Sequence, residues 1–255
     1  MTARPQTVKV AAFSCVHSPF APKTTQEWML NTLAPLAPTL DYIVCLGDLF
    51  ESDAASVHPG ESDHSLEDEY NAASAYLASV RKVLRDDVKP VWLLGNHDDN
   101  VQKKDPRRIP KALRSLLNWN KHNTEFSKWR QIPYEKGSRG CFELGQAIFA
   151  HGWDVGQNSD ELEGIQLNND CGGYAHRLVV RGHTHRPRPV TQCRRTMTIP
   201  LPLWVANAGT MGPLKPDYMA RKDTSQWGPA LVVVELAMGR SCQPAKNWDA
   251  EVLTP

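Results

Sequence analysis

The chain has 255 residues, 41% of them hydrophobic and 22% charged, a balance that supplies ample material for a buried core and excludes a collagen, a disordered tail or a disulfide miniprotein. Twenty-nine basic against 28 acidic side chains leave a formal charge of +1, which argues against a generally nucleic-acid-coating or membrane-surface protein but allows a local basic patch. No apolar run approaches the ~20 residues that span a bilayer, and the first six residues lack the apolar core of a signal peptide. The six cysteines, at 15, 45, 141, 171, 193 and 242, form no CxxC pair, so the expected compartment is a reducing cytoplasm. Length favours one large domain, or one domain with an insertion, over a string of modules.

In chain order, residues 8–15 read as a first strand that ends at His17-Ser18-Pro19. Residues 25–36 are a candidate helix closed by Pro35 and Pro38, and residues 42–46 a second strand that stops at Gly47-Asp48. Residues 52–64 read as a loop. From Ser65, the residues Leu66, Tyr70, Ala73, Leu77, Val80 and Leu84 recur at spacings of four and three, and Ser65 with Asp68 resembles a helix N-cap. Residues 91–94 are a third strand, running into Gly95-Asn96-His97-Asp98.

Residues 99–140 read as a polar, Trp-containing, cap-like insertion covering one end of a sheet. Within it, a helix over 107–117 would put Ile109, Leu113 and Leu116 on one face and Arg107, Arg108, Lys111 and Arg114 on the other. That basic face is either solvated or a guide for a phosphate-rich substrate, nucleic acid included. Trp119, His122, Trp129 and Tyr134 are either the insertion's own small core or a stacking surface for a base. Strands follow at 147–150, running into His151-Gly152, and at 178–180, running into Arg181-Gly182-His183-Thr184-His185. Residues 194–199, 203–206 and 231–236 complete a strand-rich final third. Short, nearly continuous Val/Ile/Leu runs suit strands covered on both faces, and their alternation with helices implies an α/β fold with crossover units.

Five strand-like runs thus end in His, Asp or Asn. Ligands of open α/β sheets bind outside the carboxyl ends of strands, so His17, Asp48, Asn96, His97, His151, His183 and His185 are expected to converge. Imidazoles, a carboxylate and an amide oxygen suit Zn, Mn or Fe, and seven such residues exceed one tetrahedral site. Two ions in a clamp are the economical reading. Isolated His58, His64, His122 and His176 read as surface or hydrogen-bonded residues, and Glu51 as either supporting or merely solvated.

In order along the chain, Cys15-Val16-His17, Gly47-Asp48, Gly95-Asn96-His97-Asp98, His151-Gly152 and Gly182-His183-Thr184-His185 resemble the five motifs of the calcineurin-like metallophosphoesterases. Asn207-Ala208-Gly209-Thr210 is similar to the small-residue turn that often follows them. The resemblance implies a β-sandwich flanked by helices and hydrolysis of a phosphate monoester or diester by a hydroxide lying between two divalent ions. It implies that Asp48 bridges the ions, that His17 and His185 complete one site, and that Asn96, His151 and His183 complete the other. His97 would act near the leaving group, with Asp98 orienting its ring. Arg186 and Arg188, just past the last motif, are candidates for the substrate's phosphate oxygens.

One position departs from the pattern: Cys15 stands where the family usually has Asp. Three readings follow. Cys15 is a thiolate ligand favouring softer Zn or Fe; or it is an apolar filler beside a weakened site; or it marks a non-catalytic binding module. The main alternative activity is that of a nuclease or nucleic-acid-end phosphatase using the 107–114 face.

Overall fold

The computed structural model describes residues 7–56, 63–108, 111–193, 202–216, 219, 221–238 and 245–255. Strands β1 (Thr7–Phe13), β2 (Tyr42–Cys45), β3 (Lys89–Leu93) and β4 (Arg130–Ile132) pair in parallel in that order. A second group comprises β5 (Cys141–Leu144), β6 (Ala147–Ala150), β7 (Arg177–Arg181), β8 (Pro187–Gln192) and β9 (Leu203–Ala208). It forms a five-stranded sheet of order β5-β6-β7-β9-β8, parallel through β6, β7 and β9 and antiparallel at both edges. Strands β10 (Leu231–Ala237) and β11 (Trp248–Leu253) return to the first sheet, antiparallel, giving the order β11-β10-β1-β2-β3-β4. The fold is therefore an α/β sandwich of two mixed sheets flanked by helices.

Strand alternation explains the layers. Val10, Ala12, Val44, Leu46 and Val91 of the first sheet and its exits meet Phe149, Leu178, Val180 and Ala206 of the second in one apolar seam. The opposite face of the first sheet, with Phe13, Ile43 and Trp92, packs on Met29 and Leu33 of α1 (Lys23–Leu33) and on Tyr70, Leu77 and Val80 of α2 (Leu66–Val83). Helix α2 opens with a capping box: the Asp68 amide donates to Ser65 Oγ, and the Asp68 carboxylate accepts from the Ser65 amide. Helix α3 (Asn96–Gln102) leaves the third motif, and α4 (Trp119–His122) and α5 (Thr124–Ser127) lie in the insertion. Helix α6 (Ser159–Asp170) covers the outer face of the second sheet, Leu167 against Val179 and Val205.

Within the expected insertion, β4 (Arg130–Ile132) adds an edge strand to the first sheet beside β3. Trp119, Phe126 and Trp129 are buried in the same core cluster as Phe50 and Trp92, so two of the four aromatic candidates are core residues rather than a stacking surface. The helix expected at 107–117 is replaced by 3-10 turns at Pro106–Arg108 and Lys111–Leu117. Pro110, inside that run, has no amide hydrogen to donate to a helix. The expected strand at 194–199 and His58 lie outside the described residues. No helix among the described residues is long and apolar enough to cross a membrane.

Candidate metal centre

Each of the parallel strands β1, β2, β3, β6 and β7 delivers its motif from its carboxyl end, and the five loops meet over the seam between the sheets. Three groups of side chains bring their donor atoms within 4.8 Å of one another: Cys15, His17, Asp48 and His185; Asp48, His151 and His183; and His17, Glu51 and His97. Asp48 belongs to the first two. Asn96 joins the second, its Oδ1 lying 3.1 Å from His151 Nε2. All seven residues expected to converge do so, and Cys15 joins them as an eighth.

The backbone is bent to achieve this. Cys15, His17, Asp48, His183 and His185 all have φ between 50° and 68°, five of the seven non-glycine residues with positive φ among those described. A left-handed residue with a side chain costs roughly 1–3 kcal/mol, and such outliers persist where the surroundings hold them in place. Here neighbouring loops do the holding. The Cys15 amide donates to Gly47 O (2.9 Å), the His17 amide to Asp48 O (3.0 Å), and the Thr210 hydroxyl and Gly212 amide to Cys15 O (both 2.8 Å). Gly95 is required by closeness: a Cβ there would lie 2.1 Å from Asp48 Oδ1 and 2.4 Å from the Asp48 amide.

Hydrogen bonds set which ring nitrogens face inward. His151 Nδ1 lies 2.6 Å from Leu46 O and donates to it, leaving the Nε2 lone pair facing Asp48 Oδ2 (3.1 Å), Asn96 Oδ1 (3.1 Å) and His183 Nδ1 (3.2 Å). His17 Nδ1 lies 2.7 Å from Glu51 Oε2, which directs His17 Nε2 toward His185 Nε2, 3.0 Å away. Buried His185 has no hydrogen-bond partner at Nδ1. Acceptor atoms crowded at about 3 Å repel unless a cation lies among them, so the donor set fits divalent metal ions.

Electrostatics agree. Burial raises Asp48, but the His151 and His97 rings outweigh it and hold its carboxyl well below the usual range. Burial, helped by His151, pushes His183 down to about 3; burial and His17 push His185 well below its ordinary value. Neutral imidazoles are the form that ligates. His97 behaves oppositely: burial lowers it, yet the Asp48 and Glu51 carboxylates raise it to about 9. Its Nδ1 lies 2.6 Å from Glu51 O, leaving Nε2 without that constraint.

Two expected roles need correction. Asp98 does not orient the His97 ring. Its Oδ1 accepts from the Leu49 and Phe50 amides (both 3.0 Å), and its Oδ2 from the Gly95 amide (2.8 Å) and Trp92 Nε1 (3.3 Å). It staples the second and third motif loops together, because the first turn of α3 points its side chain back into the capping position at Gly95. Burial and the Asp48 charge raise it to about 6 against those donors. Arg188 is likewise committed elsewhere, to Glu161 (2.5 Å) and Asp160 (3.7 Å).

A cleft of about 500 Å³ opens over the centre, lined by His97, Arg186, Lys222, Gln226 and Trp227 among others. Arg186 is tied to Val155 O (2.7 Å) at its wall. None of Arg107, Arg108, Lys111 and Arg114 lines it, and Arg107 pairs with Asp105 at 3.0 Å. His64, His122 and His176 pack on Phe20, Tyr70 and Trp204 and belong to none of the three donor groups, whereas Tyr134 stands edge-on to His151 at 5.8 Å.

Sequence reasoning does not reach three contributors. Trp227 packs edge-on to His185 at 4.2 Å between ring centroids, from a polar segment with no periodicity to flag it. Buried Asn207 donates to Asp160, Gly182 O and the Thr184 hydroxyl, fixing the last motif loop, whereas its motif marks only a turn. Glu51, ambiguous in sequence, is a supporting residue: buried, it holds His17 with its carboxylate and His97 with its carbonyl.

A sandwich of two mixed sheets that gathers imidazole, carboxylate and amide donors at the strand ends defines the metallophosphoesterase class of hydrolases. The chain belongs to the calcineurin-like phosphoesterase family, whose model matches residues 8–187. Among solved structures it is similar to a hypothetical protein of Pyrococcus horikoshii OT3, at 14% identity over 91% of this chain and 88% of that one, with a TM-score of 0.48. Nuclease MPE of Pseudomonas putida is 16% identical over 88% and 83% of the two chains, with a TM-score of 0.38. A purple acid phosphatase from yellow lupin seeds is 11% identical over 98% of this chain and 54% of its own, with a TM-score of 0.47. No curated protein sequence matches significantly.

Proposed function

We propose that the chain hydrolyses a phosphate ester with two divalent cations, one held by His17, Asp48 and His185 and the other by Asp48, Asn96, His151 and His183. The observation that carries this reading is the sharing of Asp48 between two donor groups that each draw on both sheets. The ions, when bound, supply Lewis acidity at the phosphoryl oxygens and lower the pKa of water at neutral pH.

The chain's own residues do the rest. The Asp48 and Glu51 carboxylates favour the protonated form of the His97 ring. Its Nε2 passes a proton to the leaving oxygen as the P–O bond breaks and water's oxygen bonds to phosphorus, the water's own proton going to solvent. Arg186 and Lys222 offer positive charge to the non-bridging oxygens from the cleft wall, and Trp227 gives the leaving group an apolar surface. The cleft's size suits a small ester or a nucleic-acid end. A nuclease using the 107–114 face is not favoured, because those cations stand outside the cleft.

The test is hydrolysis of an aryl phosphodiester and its monoester by chelator-treated protein re-supplied with Mn, Zn or Fe. Turnover that returns with metal and is lost in His97→Ala supports the reading. Folded protein inactive with every metal overturns it and leaves the binding module.

A further inference from the structure

We infer that Cys15 is a thiolate ligand of this centre and makes one of its two positions selective for a soft divalent cation, zinc or ferrous iron, over manganese. The inference rests on the phosphoesterase reading above and goes further, since it separates the three roles that the sequence leaves open for this residue.

Surroundings distinguish a ligand from a filler. Cys45, also fully buried, sits in the apolar cluster with Phe13, Ile43 and Trp92, as a cysteine acting as a small hydrophobe should. Cys15 is equally buried but belongs to none of the three apolar clusters among the described residues. Its sulfur lies among polar groups instead. The His183 amide donates to Sγ at 3.3 Å, and Ser14 Oγ is 3.0 Å away. Asp48, His17 and His185 place their donor atoms within 4.8 Å of Sγ and of one another. A cation satisfies all four.

The backbone fixes the sulfur there. Cys15 has φ 56°, a conformation that a residue kept only for volume has no reason to hold. Its amide is bonded to Gly47 O and its carbonyl to the Thr210 hydroxyl and Gly212 amide, so the loop is clamped on both sides of the Cα. A second observation comes from buried His185, whose Nε2 stands 3.0 Å from His17 Nε2 in the same group and whose Nδ1 has no hydrogen-bond partner. Thiolate among imidazoles and a carboxylate is a softer donor set than oxygen and nitrogen alone and shifts preference from Mn(II) toward Zn(II) and Fe(II). Binding releases the thiol proton to solvent as the metal–sulfur bond forms.

The experiment is titration of chelator-treated protein with cobalt(II) chloride, followed by absorbance and by metal content after desalting. Wild type is expected to take up two equivalents, with a near-ultraviolet sulfur-to-cobalt charge-transfer band growing with one of them. Cys15→Ser is expected to lose the band and bind one equivalent; Cys15→Asp is expected to regain two without the band and to accept manganese at both positions. Zinc X-ray absorption on the wild-type protein is expected to show a Zn–S shell at about 2.3 Å, which tests the ligand without a variant that has to fold. Two equivalents of cobalt with no band in wild type, or a band that survives in Cys15→Ser, overturns the assignment and leaves the metal-dependent reading standing. Folded wild-type protein that binds no cobalt overturns both.

Discussion

Asp98→Asn separates the staple seen in the structure from the orienting role that the motif suggests. The native carboxylate accepts four N–H donors, two on each oxygen, in a site with no access to water. Asparagine keeps one oxygen and its two donors, but turns an NH2 group toward the other pair. Two charge-assisted hydrogen bonds, worth ~1.5–3 kcal/mol each, are lost, so the expected destabilisation is about 3–5 kcal/mol. With ~2.1 cal/mol/K of unfolding entropy per residue, a chain of 255 residues loses 1 kcal/mol for every ~2 °C, and Tm should fall by about 6–9 °C. Calorimetry of chelator-treated wild type and variant measures this apart from any contribution of bound metal. Activity should fall as well, because Asp48 shares the loop that the staple holds. A variant with Tm within about 2 °C of wild type but with its pH–rate profile displaced would refute the reasoning and return Asp98 to the His97 ring.

Three further outcomes are expected. Burial raises Glu69 to about 7 although its carboxylate accepts from the Ser52 amide at 2.6 Å, so the folded state favours the protonated form. That penalty is absent below about pH 4.5, the unfolded value, and grows to about 3 kcal/mol above pH 7; Glu69→Gln should therefore raise Tm at pH 8 and leave it unchanged near pH 4.5, and equal shifts at both would count against it. Gly95→Ala puts a methyl group 2.1 Å from Asp48 Oδ1, and the displaced carboxylate should cost on the order of 100-fold in kcat with the far-ultraviolet dichroism retained; wild-type activity would show that the loop yields freely. Arg186→Ala should raise KM about tenfold through loss of a charge-assisted contact, whereas Arg188→Ala, whose guanidinium already pairs with Glu161, should stay within about twofold of wild type, so steady-state kinetics on the pair tests the assignment of the cleft wall.

The strands that the sequence reveals and those it hides divide by position. β1, β2, β3, β6, β7, β9 and β10 are interior strands, buried on both faces, and their apolar runs are nearly continuous. β4, β5, β8 and β11 are the four sheet edges. There one side lacks a partner, polar residues and the prolines at 187 and 189 are tolerated, and the run that marks a strand disappears. Helix α6 is hidden for a related reason, since Ser159–Asp170 is mostly polar and buries Leu167 on a narrow stripe. The seven convergent residues are legible because each lies just past the end of an interior strand. Arg188 and Asp98 are not, because proximity in sequence says nothing about where a side chain turns, and Trp227 is invisible because its partner, His185, is 42 residues away in the chain.

The seam between the sheets has a mechanical consequence. Cys15, His17, Asp48 and Asn96 hang from the first sheet and His151, His183 and His185 from the second, so a cation in either Asp48-containing group bolts one sheet to the other at the open end of the sandwich. Were both groups filled as proposed, the distance between the ions would follow how the two halves sit across the apolar layer that separates them. A change deep in that layer, such as Leu178 or Val44 exchanged for a smaller side chain, would then reach the reacting atoms without touching them, by letting the jaws of the clamp drift out of alignment.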